Sequence, residues 1–181
     1  DEVPAFVSTL RESNLDEATK LAFEFLILTA ARTGEVLRAM DGEIDVEKAV
    51  WIVPSERMKA HVEHRVPLTD RALEIVVSAR ELHTVRGGFL FPGRAADRPL
   101  SNMTLLMARK RMGIDATVHG FRSAFKDWAT ERTNFPLEVS EAALAHVVRD
   151  KTEAAYRRGD LFEKRRPLMN RWADFATASS G

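Results

Sequence analysis

The sequence has no cysteine, which removes disulfides, thiolate nucleophiles and thiolate metal ligands and leaves five histidines and the carboxylates as metal-binding candidates. No uncharged apolar run reaches the ~18 residues of a membrane-spanning helix. Nor does the chain open with the basic stretch, apolar core and small-residue cleavage site of a secretory signal. These absences read as a soluble protein that stays inside the cell. A charge of one sign is missing too: 27 Lys and Arg balance 27 Asp and Glu, so net charge gives no hint of a polyanionic partner. Tyrosine is nearly absent, with Tyr156 the single copy.

What is present is enough for one domain: 181 residues, 45% of them hydrophobic, can bury a core. Beginning at Asp1 rather than Met, the chain reads as part of something longer. Its charges are unevenly spread. Residues 1–50 hold eleven acidic and five basic side chains, whereas 86–132 hold nine basic and four acidic, and 147–171 eight basic and four acidic. A neutral protein can thus present one basic face, as a phosphate backbone requires, although a solvated surface reads the same way.

Hydrophobic periodicity predicts a helix from Leu15 to about Ala31, capped by Asn14 or Ser13, with Leu21, Phe25, Leu28 and Thr29 on one face. Gly34 then punctuates a short helical segment over residues 35–39, so Arg32 falls at a junction. Ile44 and Val46, then Val50, Ile52 and Val53, then Val62, Val66 and Leu68 read as strands of a small antiparallel sheet, with Pro54 and Pro67 confined to edges or ends. Thr69 or Asp70 caps a helix to about Val85, closed by Gly87-Gly88, and Ser101 caps another to about Met112, ended by Gly113. From His119 onward the pattern is helical, broken near residues 134–136, 148–150 and 159. The fold class is mainly α with one small antiparallel β-sheet, α+β.

Several residues could carry chemistry, each with a plainer explanation when taken alone. His119 and Arg122, three apart at a helix start, project from the same side and could direct two donors at a phosphate, but such pairs are common. Phe125 and Trp128 mark the buried side of that helix. Arg32 lies in Arg-Thr-Gly-Glu35, where a guanidinium could be fixed for bidentate phosphate binding with Glu35 orienting it, or could make a structural salt bridge. Lys59, near a hairpin tip, could protonate a leaving oxygen or simply be solvated. His61 and His64 flank it and read as surface residues. His146 stands ten residues before Tyr156 and could be a structural histidine at a helix end. Tyr156 sits in Glu-Ala-Ala-Tyr-Arg-Arg158, a surface-like helical context that is odd for a packing residue. A phenol becomes a nucleophile only where cations or hydrogen bonds stabilise the phenolate.

Taken together, the order Arg32, Lys59, His119 with Arg122, His146 and Tyr156 resembles the signature of tyrosine recombinases. The surrounding text is most similar to P4-type prophage integrases: Ala-Arg-Thr-Gly-Glu35, Trp51-Ile-Val-Pro, Glu56-Arg-Met-Lys59, His64-Arg-Val-Pro-Leu68, His119-Gly-Phe-Arg122, Leu144-Ala-His146, Ala155-Tyr-Arg157 and Trp172-Ala-Asp174. The resemblance covers about Leu15 to Phe175. It implies that residues 1–181 are the C-terminal catalytic domain of an integrase whose core-binding and arm-binding domains lie upstream. It further implies that Tyr156 is the nucleophile, forming a 3′-phosphotyrosine and releasing a 5′ hydroxyl. Arg32 and Arg122 would hold the non-bridging oxygens and Lys59 would be the general acid. His119 would assist proton transfer from the tyrosine, His146 would hydrogen-bond the phosphate, and Glu35 would orient the site.

The same resemblance implies no metal and no cofactor. It implies double-stranded DNA carrying attachment sites as partner, self-assembly into a tetramer on that DNA, possible accessory DNA-bending or excision factors, no membrane, and action on the bacterial nucleoid from the cytoplasm. The apolar stripe Leu161, Leu168, Trp172, Phe175 and Ala176 predicts a final helix that packs on its own domain or, as in the family, docks on a neighbouring protomer. Three other readings remain open: a type IB topoisomerase-like nicking and closing enzyme, a non-catalytic DNA-binding regulator, and a metal-dependent nuclease built on His119 and His146.

Overall fold

A helix that is apolar on every side must lie inside a protein, and the chain supplies one in its second element, α2 (Glu17–Thr29). Every residue from Leu21 to Thr29 is buried, rather than the single face the sequence predicts. Its cap is Asp16, whose Oδ1 accepts from the Thr19 N–H at 3.0 Å, not Asn14 or Ser13. Asp16 has the extended backbone that a cap needs, and Glu17 already lies in the helix. The structure is a computed structural model that describes residues 2–82, 88–95, 97–115, 117–146 and 159–178.

Around α2 pack α1 (Val3–Glu12), α3 (Thr33–Leu37), α4 (Asp70–Glu81) and α5 (Thr104–Arg111). α1, which the sequence reading did not predict, has no side-chain cap, but Pro4 lies in its first turn and Val3, Phe6, Val7 and Leu10 recur at helical spacing and are buried. α4 is capped by Thr69, one of the two caps expected, with Asp70 already inside the helix; its expected extension to Val85 and closure by Gly87 lie outside the described residues. α5 starts at Thr104, three residues after the expected cap Ser101, and Gly113 follows it in the left-handed conformation at φ +70°.

The strands β1 (Ile44–Asp45), β2 (Val50–Val53) and β3 (His64–Pro67) form an antiparallel sheet in sequence order. Trp51 faces Val66 and Val53 faces His64 in register. Trp51 and Val53 point into the core, with Trp51 against Phe25 of α2 at 5.4 Å between rings. Pro67 closes β3, where a missing N–H does least harm.

α6 (Gly120–Arg132), α7 (Leu137–Ala143) and α8 (Phe162–Ala176) complete the core. α8 packs on α1, α2, α6, α7 and β3. Trp172 is wholly buried, and its indole N–H donates to the Ile27 carbonyl of α2 at 2.8 Å. Phe125, Trp128 and Phe175 surround it at 5.2 to 5.6 Å between rings, so Phe125 and Trp128 take the core positions expected of them. The apolar stripe of the final helix is therefore spent on its own domain.

Two ionic knots pin these layers, one around a buried carboxylate and one at the surface around a buried guanidinium. Glu24, 2% exposed, takes both oxygens to Arg11 of α1 and Arg71 of α4. Burial pushes its carboxyl up, but the hydrogen bonds from Arg71 and Arg11 outweigh that and hold it below the usual carboxylate range. At the head of α8, Asp160 binds Arg65 of β3 at 2.7 and 2.8 Å and Arg165 at 3.0 Å, while Arg165 donates to the Arg65 carbonyl at 2.7 Å. The guanidinium groups of Arg65, Arg165 and Arg166 also gather over the Phe162 ring at 4.5 to 5.6 Å. Part of the basic surplus that the sequence offers to a polyanion is thus consumed inside the fold.

Candidate active site

Arg122 is the hub of the site, held where two helices end. It is 5% exposed on α6, and its guanidinium donates to the Ala30 carbonyl at the end of α2 and, at 2.7 Å, to the Leu144 carbonyl at the end of α7. Ala30 adopts φ +49° and Ala145 φ +48°, so both helices stop with a left-handed residue beside the carbonyl that Arg122 uses. Helix C-termini carry partial negative charge, which offsets part of the cost of burying a cation there. Burial lowers the Arg122 pKa to about 10, helped by repulsion from Arg32 and opposed by Glu35, and the group remains charged at neutral pH. Because a guanidinium has five N–H donors, donors remain for an oxyanion after both carbonyls are served.

Arg32 precedes α3 as its N-cap. Glu35, 6% exposed, accepts from the Arg32 backbone N–H at 2.9 Å through Oε2 and from its Nη1 at 2.7 Å through Oε1. One carboxylate therefore starts the helix and pairs with the guanidinium, a contact that fits both the structural salt bridge and the orienting part expected of Glu35. The Arg32 side chain stays 31% exposed, so it can still reach a ligand.

Lys59 is exposed in the segment joining β2 and β3. Its neighbour Met58 is buried, and Arg57 donates to the Glu35 carbonyl at 3.2 Å, which ties the base of this loop to α3. His119 is exposed as the N-cap of α6, one turn before Arg122. His146 follows α7, with its Nδ1 2.5 Å from Glu141 Oε2. Tyr156 and the break expected at 148–150 lie outside the described residues. Among the described residues no group of three or more His, Asp and Glu could hold a metal ion, and no helix is long and apolar enough to cross a membrane.

His64 corrects the sequence reading, which placed it on the surface. It is half-buried, and the fold brings it under the influence of Glu35, Arg165 and the Ala143 backbone. The signal was the alternation His64, Val66, Leu68, which puts His64 on the inward face of β3. Burial, with repulsion from Arg165, lowers its pKa to about 4 against the attraction of Glu35 and Asp160. The unfolded chain thus binds a proton here, near pH ~6.5, that the folded chain refuses until about pH 4. Stability contributed by neutral His64 is complete above that upper value and is lost as pH falls through the window, by roughly 3 kcal/mol at most. Urea midpoints for wild type and His64→Gln should therefore diverge in slope between these pH values; parallel curves would remove His64 from the acid response.

Glu141, Lys126 and Arg165 also escaped the sequence reading. Glu141 and His146 are five apart, a spacing that meets only because Ala145 turns the chain left-handed. Arg165 looks like part of a solvated basic face until β3 and Asp160 enclose it.

Residues 1–160 match the model of the phage integrase family, and the chain belongs to that family. It is 37% identical over 182 residues to prophage integrase IntA of Escherichia coli K12, covering 99% of this chain and 44% of IntA, so the chain spans less than half the length of that relative. Among solved structures, the integrase of mycobacterium phage Brujita superposes with a TM-score of 0.71 at 21% identity, over 96% of this chain and 58% of that one. A lambda integrase dimer bound to a COC′ core site superposes with a TM-score of 0.60 at 21% identity, over 82% and 56%. The last two likenesses concern the fold.

Proposed function

We propose that residues 1–181 form the catalytic domain of a tyrosine site-specific recombinase that integrates or excises a mobile element by cutting and rejoining duplex DNA. The observation that carries this reading is the convergence of Arg32 and Arg122, one aimed by Glu35 and the other fixed between two helix ends, on a site with donors to spare. Pre-aligned cations of this kind stabilise a pentacoordinate phosphate more than its ground state, because charge grows on the non-bridging oxygens.

In the proposed reaction the Tyr156 oxygen attacks the scissile phosphorus and gives up its proton with the help of His119. The P–O5′ bond breaks as Lys59 delivers a proton to the leaving oxygen, while His146 hydrogen-bonds the phosphate. The product is a 3′-phosphotyrosine and a free 5′ hydroxyl; attack by a 5′ hydroxyl reverses the step and rejoins the strand. Two arginines and a lysine supply the positive charge, so the scheme calls for no metal and no cofactor. The partner is duplex DNA with attachment sites, a role supported by the family and by the DNA-bound lambda integrase dimer. Tetramer assembly, upstream DNA-binding domains, accessory bending or excision factors and action on the bacterial nucleoid complete the proposal.

The test is a suicide duplex whose cut releases a short fragment that cannot return. The expected product is a covalent protein–DNA adduct whose modified residue maps to Tyr156 and which forms equally well in chelator. No adduct, or an adduct on another residue, rejects the reading. Exchange of strands between two duplexes then separates a recombinase from a nicking and closing enzyme.

A further inference from the structure

The end of α7 serves two groups of the site at once, and α6 holds it from two positions one turn apart. Arg122 of α6 binds the Leu144 carbonyl, and Lys126, four residues further on the same helix, binds Glu141 Oε1 at 2.9 Å. The other oxygen of Glu141 meets His146 Nδ1 at 2.5 Å. The backbone makes this meeting unavoidable. The His146 N–H donates to the Glu141 carbonyl at 3.0 Å and the Ala145 N–H to the Ala142 carbonyl at 3.1 Å, the double closure of a Schellman turn with Ala145 left-handed. His146 is thereby folded back over Glu141.

We propose that Glu141 is a positioning residue that fixes the ring orientation and the tautomer of His146. An ionised carboxylate can only accept, so the proton shared with it sits on Nδ1 and Nε2 is left free to face outward. Burial pushes the Glu141 carboxyl up, but Lys126 and His146 outweigh that and keep it ionised. The consequence for the reaction is definite. A neutral ring held this way offers Nε2 only as an acceptor, so to donate to a phosphate oxygen His146 must carry a second proton. Lys126, beside Asp127, fixes the second Glu141 oxygen and stops the carboxylate from rotating away.

The plainer alternative is a surface ion pair, since Lys126 and His146 are 44% and 38% exposed. Such pairs contribute ~1 kcal/mol or less to stability, so thermal stability alone does not separate the two ideas. Tautomer and rate do. This inference rests on the recombinase reading for its catalytic consequence, whereas the ring tautomer is measured without DNA. With 15N-histidine protein, the wild-type His146 ring should carry its proton on Nδ1, and Glu141→Ala should move it toward Nε2. On the suicide duplex Glu141→Ala should slow adduct formation by ~10–100-fold, the usual scale for removing the partner that orients a histidine. Glu141→Gln, which keeps an acceptor for Nδ1–H, should recover part of that rate, and the melting temperature of both variants should stay near wild type. An unchanged tautomer in Glu141→Ala, or adduct formation at the wild-type rate, overturns the proposal. A wild-type protein that forms no adduct rejects the recombinase reading instead, and the tautomer measurement then still decides what Glu141 does.

Discussion

Arg122→Lys should cut the rate of covalent adduct formation by about 10²–10³-fold while leaving a folded protein, because a single ammonium cannot replace a planar fork. The guanidinium spans from the Ala30 carbonyl to the Leu144 carbonyl and still has N–H groups left for a phosphate. A lysine that reaches either carbonyl turns its donors away from the other and from the substrate. Arg122→Ala should be worse in a second way. It leaves two carbonyls at buried helix ends without this partner, at a cost of ~1–3 kcal/mol for each one that water fails to reach. Measuring adduct formation well below the melting temperature of each variant separates the chemical loss from the structural one. Cleavage by Arg122→Lys at the rate of wild type would show that this side chain serves the fold alone.

The second large effect is on stability. Trp172→Ala should lower the unfolding free energy by ~3–5 kcal/mol, the range for deleting a fully buried aromatic side chain, and the melting temperature by on the order of 10 °C. Trp172 touches the rings of Phe125, Trp128 and Phe175 and joins α8 to α2 through the Ile27 carbonyl. That carbonyl also accepts from the Ala30 N–H at 3.2 Å, so the main loss is packing rather than an orphaned acceptor. Phe175→Ala, at the half-exposed edge of the cluster, is the comparison. Equal losses from the two substitutions, measured by urea unfolding, would mean that the cluster is not centred on Trp172.

Periodicity revealed most of the scaffold because the period of the apolar residues reports which way side chains face. The strands at Val50 to Val53 and around Val66, the helix capped by Thr69 and the core positions Phe125 and Trp128 are all where their spacing puts them. Boundaries drifted where a competing cap was available, as when Asp16 displaced Asn14. α1 was legible too, since Val3, Phe6, Val7 and Leu10 recur at helical spacing, although the helices expected from the sequence begin only at Leu15.

The candidate site was legible only as a set of residue types, of which Arg32 and Glu35 pair and both act electrostatically on Arg122. Their supports were not legible. Whether Arg122 rests on Ala30 and Leu144, and whether His64 lies inside or outside, depends on contacts between residues far apart in the chain, which no local spacing encodes. Glu141 depends on a left-handed alanine, where a glycine would have been the visible sign.

The seven residues of α7 are too few to persist as a helix alone, since isolated helices shorter than ~12–15 residues are marginal in water. They exist because α6 and α8 grip them. Yet this short, dependent segment supplies the oxygen on which Arg122 leans and carries His146 at its tip. Were gentle warming or dilute denaturant to loosen this corner ahead of the rest, the proposed chemistry would fall silent while most of the chain is still intact, and working life would follow this corner rather than average sturdiness.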